Sequence, residues 1–485
     1  MELLKSILGQ QLYSIDILTI SLLLASLSIG YIYIVSSHTR QKKANKYPPY
    51  APGGMWQHIQ ISASSQYPWW ILDVARDLHN RVFQLSLPMS PMAHKVVVGE
   101  VDTFRRVLTD PLSEKPMEFY QPFRDIVGGP PTVLTSNGHE WHGKRKAVTP
   151  AFSSTHIKRM TRVALETTEI WIRDTLVDPT KNASFDVGEE MIGITLSSIS
   201  ETAFEYKMST QEKKIFGREL ELTLIEFALK APFNPLRALF SWFLPERGRA
   251  FAAAQNTKAM MFQIIKSYRN MKEPLNNGTI IQLVMESDAF LTDEERAAQL
   301  MEFLIAGHDT TAYTIAWILL ELARNPKEQT KLRESLSQLD PEDWSRSEYL
   351  KKVVKEGMRL HPVVAGGSVR KIGRDIMTSR NELLPKGTIC FLPFMLLFRN
   401  PDIFNDPDSF QPSRWETPTR DMLDAFNPFS LGKQNCVGQS LANAELFAIV
   451  ARICSEFELS VESEGYVDYF LTLKPNGARL RARKV

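Results

Sequence analysis

Of the three cysteines in the chain, Cys390, Cys436 and Cys454, one stands where chemistry is possible. Cys436 lies in the polar stretch Phe429-Ser-Leu-Gly-Lys-Gln-Asn-Cys-Val-Gly438. Apolar residues at helical spacing follow, from Leu441 to Ile453, so the thiol sits just ahead of a helix N-terminus. Unpaired N–H groups and the positive end of the helix dipole favour a thiolate there. A thiolate on a rigid loop is a strong ligand for a soft or borderline metal. Gly432 and Gly438 would let the backbone approach something flat, with Phe429 covering the sulfur side. The competing reading of a lone cysteine is a buried structural residue. Cys390, in a strand-like run, and Cys454, on the apolar helix, take that second reading.

Three further groups have the residue types for a site. Ala306-Gly-His-Asp-Thr-Thr311 occupies the middle of a helix that starts at the capping box Thr292-Asp-Glu-Glu295 and is stopped by Pro326. Such a helix is about 50 Å long at the standard rise, enough to cross a whole domain. Gly307 costs roughly 1 kcal/mol there relative to Ala, and Asp and Thr are mediocre helix formers. A core helix that keeps such a cluster does so for a site or for a kink. Trp141 and Arg145, four apart on a helix starting near Gly138, share one face. Glu356 and Arg359, three apart on a helix over 349–360, form an ion pair whose default is an exposed one.

The elements that must position these groups are mostly helical. The pattern is helical over most of 157–268, and a small sheet is predicted over 82–99, broken by Pro88 and Pro91. Residues 116–135, rich in Pro, Gly and aromatics, read as a loop, and 233–245 reads as a break that touches lipid. Thr388 to Pro393 reads as a strand. Asn400-Pro401 and Asp406-Pro407 are turns.

Taken in order, these pieces resemble the microsomal cytochrome P450 family over nearly the whole chain. Phe-x-x-Gly-x-x-x-Cys-x-Gly matches its haem-binding loop. Ala306 to Thr311 matches its distal-helix motif, Glu356 and Arg359 its Glu-x-x-Arg, Pro412 and Arg414 its Pro-x-Arg, and Trp141 and Arg145 its Trp-x-x-x-Arg. The resemblance implies a mainly α fold with a small β portion. It implies haem b held by Cys436 as iron ligand, with Trp141, Arg145, Ala306, Gly307, Arg370, Phe429, Gly432, Gln434 and Gly438 around it. Asp309 and Thr310 are implied as a proton relay, with Gly307 leaving room for oxygen. Glu356, Arg359 and Arg414 are implied as a buried structural cluster. Two departures stand out. Gln434 replaces the usual arginine two residues before the cysteine, with Lys433 beside it as a replacement charge, and Ala365-Gly366-Gly367 adds a residue ahead of Arg370.

The implied activity is a monooxygenase that inserts one atom of O2 into a hydrophobic substrate: a lipid, fatty acid, sterol, carotenoid or other terpenoid. Its electrons come from NADPH through a membrane-bound reductase docking near Lys144, Lys146 and Lys433. The alternatives are a relative that rearranges hydroperoxides and a non-enzymatic haem sensor. Phe119, Phe123, Phe303, Val363 and Val364 fall where the family's pocket walls lie.

Composition sets outer bounds. The 485 residues are 44% hydrophobic and 23% charged, with a net charge of +2, a globular balance with no field for nucleic acid. Sparse, odd cysteines suit a reducing compartment. Residues 17–35 form an uncharged apolar run followed by Arg40, Lys42, Lys43 and Lys46. That reads as a membrane anchor with the bulk of the chain on the cytosolic side, and through the resemblance as an endoplasmic reticulum anchor. The expected organisation is an anchor with its basic flank over 1–40, a proline-rich hinge over 41–54 and a single haem domain over 55–485.

Overall fold

The computed structural model describes residues 46–87, 92–177, 183–230, 243–271 and 277–485. The anchor, Pro88, Pro91 and residues 231–242 lie outside them.

One helix, Asp293–Arg324, organises the rest. Its start is the expected reciprocal cap: Thr292 accepts from the Glu295 amide while the Glu295 carboxylate accepts from the Thr292 amide. Asn325 ends it, ahead of Pro326. From Ala297 to Leu322 the helix is buried on almost every side, which is why its sequence is apolar all round rather than striped. It has the length and mean hydropathy to cross a membrane, yet most of its apolar window lies inside the protein. Helices Val187–Phe204, Pro245–Arg269 and Gln439–Glu456 pack around it.

The small β portion lies to one side. A four-stranded sheet runs in the order Val82–Gln84, Lys95–Val98, Ile389–Leu392, Ser368–Lys371. Its middle pair is parallel, with Val97 opposite Phe391, so chain segments almost 300 residues apart close the sheet. A hairpin of Tyr466–Tyr469 and Leu473–Asn476 reaches back over the central helix, where the Trp317 indole donates to the Leu473 carbonyl at 2.9 Å.

Two sequence expectations change here. Residues 117–126, read as loop, form the helix Met117–Ile126 despite Pro122 inside it. The proline removes only one backbone bond. The Phe119 and Tyr120 amides close the first turn on the Pro116 carbonyl, and the rings of Phe119, Tyr120 and Phe123 pack on one another. The hinge read over 41–54 is partly docked. The Ala51 amide donates to Gln84 and the Gln84 amide to Pro49, at 2.9 and 2.7 Å, and Ala51 is buried. From Pro49 the chain runs alongside the first strand instead of spanning a gap.

Candidate active site: a cysteine loop facing the central helix across an apolar cavity

The cysteine loop is held by its own backbone. The Cys436 amide donates to Phe429 at 2.9 Å, and Asn435 to Gly432 at 3.2 Å. Gly432 has φ +74°, and a Cβ there would meet the Leu108 carbonyl at 2.4 Å. That glycine is required by the close approach of the neighbouring helix Val101–Thr109, and it is not among the residues lining the cavity. Gly438 caps helix Gln439–Glu456 and leaves open the space beside the Cys436 sulfur.

Cys436 has accessible surface although protein crowds it closely, because its sulfur faces an internal cavity of about 570 Å³. Burial pushes the thiol upward, against the Gly438 amide and Arg145, which both pull it down. The helix terminus and Arg145 thus favour the charged sulfur while burial opposes it. A positive partner such as a bound metal ion would offset that desolvation.

The opposite wall is the middle of the central helix. Ala306, Gly307, Asp309 and Thr310 all line the cavity. The Thr310 hydroxyl donates to the Ala306 carbonyl at 2.8 Å, and Asp309 accepts from the Thr472 hydroxyl at 2.7 Å. A Cβ on Gly307 would lie 2.1 Å from the Ile199 δ1 methyl. This glycine admits helix Val187–Phe204 at close range, and both Gly307 and Ile199 line the cavity. Phe119, Phe123, Phe303, Val363, Val364, Phe470 and Leu471 supply apolar wall.

Positive charge gathers beside the loop. Arg370 reaches the cavity from strand Ser368–Lys371, 4% exposed, so the extra residue at Ala365-Gly366-Gly367 does not displace it. Gly367 absorbs the turn at φ +64°, with the Leu392 carbonyl where a Cβ would be. Arg145 lines the cavity too, but its two terminal nitrogens brace the loop, donating to the Asn435 carbonyl and side chain at 2.7 and 2.9 Å. Trp141 lines it as well and is buried. Gln434 donates to Asn137 at 3.4 Å, and its Oε1 is buried without a partner among the described residues.

Lys433 is exposed and donates to the Pro111 carbonyl, away from the cavity, so it does not replace the missing guanidinium. A third cation facing the cavity, with Arg145 and Arg370, is Lys115, which sequence reasoning missed. It is buried, donates to the Val133 carbonyl at 2.8 Å, and titrates at about 7 through burial and the repulsion of Arg370 and Arg145, with Glu302 pulling the other way. No local pattern marks it, because its neighbours come from four distant segments. Lys144 also departs from expectation. It is buried, donates to Pro131 at 2.7 Å and lies over the Phe290 ring, so it adds nothing to a surface patch. Lys146 is exposed.

Away from the cavity, Glu356, Arg359 and Arg414 meet. Arg359 donates to both Glu356 oxygens at 2.9 Å, and Arg414 to one of them at 2.9 Å. The Trp415 indole and the Gln411 amide donate to the same carboxylate. Arg359 also ties down the carbonyls of Phe398, Pro407 and Ser409. The pair read by default as exposed is 0% exposed on both sides.

The sequence profile of the family described as "Cytochrome P450" matches residues 49–477. This chain is a cytochrome P450. It is similar to the mouse (Mus musculus) "Leukotriene-B4 omega-hydroxylase 3", 27% identical over 76% of each chain. It is also similar to two Homo sapiens proteins. One is "Ultra-long-chain fatty acid omega-hydroxylase", 26% identical over 80% of this chain and 79% of that protein. The other is "Cytochrome P450 4F8", 25% identical over 76% and 77%. The P450 is a monooxygenase that binds haem b. The donor set fits that group: one soft ligand atom, a cluster of buried cations for carboxylates, and apolar walls between the loop and the central helix.

Proposed function

We propose that this P450 hydroxylates a long apolar lipid, with Cys436 as the iron ligand and Asp309 and Thr310 as the proton relay. The observation that carries the reading is that Cys436, Asp309 and Thr310 line one mostly apolar cavity. The names of the relatives, which include fatty-acid and leukotriene hydroxylases, support a lipid over other apolar substrates. Lys115, Arg145, Arg370 and the Gln434 and Trp141 side chains would hold the haem carboxylates. Bound there, haem supplies the iron at which dioxygen is activated. The protein's own part is to hold the lipid against the apolar walls, to keep bulk water out and to deliver protons. With its hydrogen committed to the Ala306 carbonyl, Thr310 Oγ1 is left as an acceptor in the cavity. Asp309 takes protons from solvent at its carboxylate.

Electrons come from NADPH through a separate reductase, for which exposed Lys146 and Lys433 offer positive charge. Residues 17–35 anchor the chain in the endoplasmic reticulum membrane, ahead of a haem domain that begins near residue 49. Deleting residues 1–40 is expected to shift much of the protein to the soluble fraction with an unchanged haem spectrum, as fractionation reads. A full-length protein that is already soluble would refute the anchor.

The relay is tested on a panel of free fatty acids, sterols and retinoids. Thr310→Ala should keep lipid affinity and haem spectrum, consume NADPH, release more hydrogen peroxide and form less product. Asp309→Asn should slow turnover within the range of about 10²–10⁴-fold typical of acid–base groups. An unchanged ratio of product to NADPH in both variants removes the relay.

A further inference from the structure

Asp309 has charged and polar neighbours, yet among the described residues only one side chain hydrogen-bonds to it. His308 turns its Nδ1 to the Leu304 carbonyl at 2.6 Å and its ring edge toward Phe216. Lys474 lies over the Tyr313 ring, 5.0 Å from its centre. Among the described residues, the one side-chain hydrogen-bond donor to Asp309 is Thr472, 163 residues later, at 2.7 Å to Oδ2.

Thr472 is placed with care. It is 2% exposed and belongs to the connection Phe470-Leu-Thr472 of the C-terminal hairpin. That connection is tied at both ends. On one side Tyr469 bonds to the Gly366 backbone. On the other, the Leu473 amide donates to Val363 at 2.8 Å and its carbonyl accepts from Trp317. Between the ties, Phe470 and Leu471 form cavity wall. A hydroxyl fixed by backbone on both sides gives the carboxylate one preferred rotamer, and a hydrogen bond to an ionised acceptor is stronger than a neutral one. Asp309 itself lines the cavity, so occupying Oδ2 leaves its other oxygen for the proton path.

We propose that Thr472 is the positioning residue for Asp309, setting the carboxylate's orientation from the same three-residue turn that touches the lipid. Contact of the lipid with Phe470 and Leu471 thereby reports directly on the relay. The proposal rests on the relay reading above and adds its support and its link to substrate seating.

The test uses the full-length haem-loaded enzyme with reductase and the panel lipid turned over fastest, oleic acid being tried first. Thr472→Val keeps the shape and removes the donor. It should lower product formation about tenfold or more, since a small misplacement of a catalytic group costs up to about 10²-fold. Lipid affinity from the optical binding shift should stay unchanged, and the ratio of product to NADPH should fall. Thr472→Ser should restore both rate and ratio. In an Asp309→Asn background, Thr472→Val should add little, because the two act as one unit. If Asp309→Asn is slow and Thr472→Val is not, the positioning role is wrong while the relay stands. Defects that add in full in the double variant, or a serine variant as poor as valine, also overturn it, since Thr472 would then only shape the wall. If Asp309→Asn itself leaves rate and ratio intact, the relay and this proposal fall together.

Discussion

Cys436→Ala is expected to lose completely the reduced carbon monoxide band of a thiolate-ligated haem, whereas Cys390→Ala and Cys454→Ala keep it. The sequence sets Cys436 apart from the other two thiols, and their surroundings in the structure differ as well. Cys390 lies on strand Ile389–Leu392 and Cys454 on helix Gln439–Glu456; both are 0% exposed, and burial pushes each thiol up to about 12. Neither lines the cavity. Cys436 does, and a bound cation there would favour its charged form. Optical spectra of the three purified variants make the comparison, with the apoprotein fraction measured alongside. A thiolate-type band surviving in Cys436→Ala would reject it as the ligand.

The second large effect is on folding. Glu356→Ala is expected to destabilise the protein by about 3–5 kcal/mol, the range for breaking a buried ion pair by removing one partner. That is a large share of a typical total of about 5–15 kcal/mol. The reason is stoichiometric. One carboxylate answers Arg359, Arg414, the Trp415 indole and the Gln411 amide, so its loss strands several donors at once. Arg359 would remain at 0% exposure with only carbonyl partners. Arg359→Lys should not rescue the complementary defect, because an ammonium cannot match the forked contacts. Thermal unfolding and haem-loaded yield provide the measurement. A Glu356→Ala protein that melts with the wild type would return the pair to the class of weak surface contacts.

Features written in local chemistry are legible in the sequence. The cap Thr292–Glu295 and the stop at Pro326 bracket a helix found at Asp293–Arg324, because capping is decided within one turn. The helix after Cys436 is legible in its apolar spacing, another local pattern, and the helix from Gly138 begins where expected although no side chain caps it. What stays hidden depends on partners far away in the chain. Lys115 looks like any surface lysine until residues 131–137 fold over it, and Lys144 looks like part of a basic face until Pro131 and Phe290 enclose it. Thr472 carries no sign of Asp309 across 163 residues. The helix at Met117–Ile126 is obscured by Pro122, whose penalty the aromatic packing outweighs.

The contact between Gly307 and Ile199 ties two positions into one evolutionary variable. A methyl gained at 307 has nowhere to go unless the δ1 carbon at 199 is surrendered or swung aside. Lineages or libraries that alter the roof of this cavity should therefore travel along a diagonal, Ala at 307 appearing together with Val or Ala at 199. A screen that varies 307 alone reads alanine there against a full-length Ile199, whereas a paired screen reads it with the methyl's room already made.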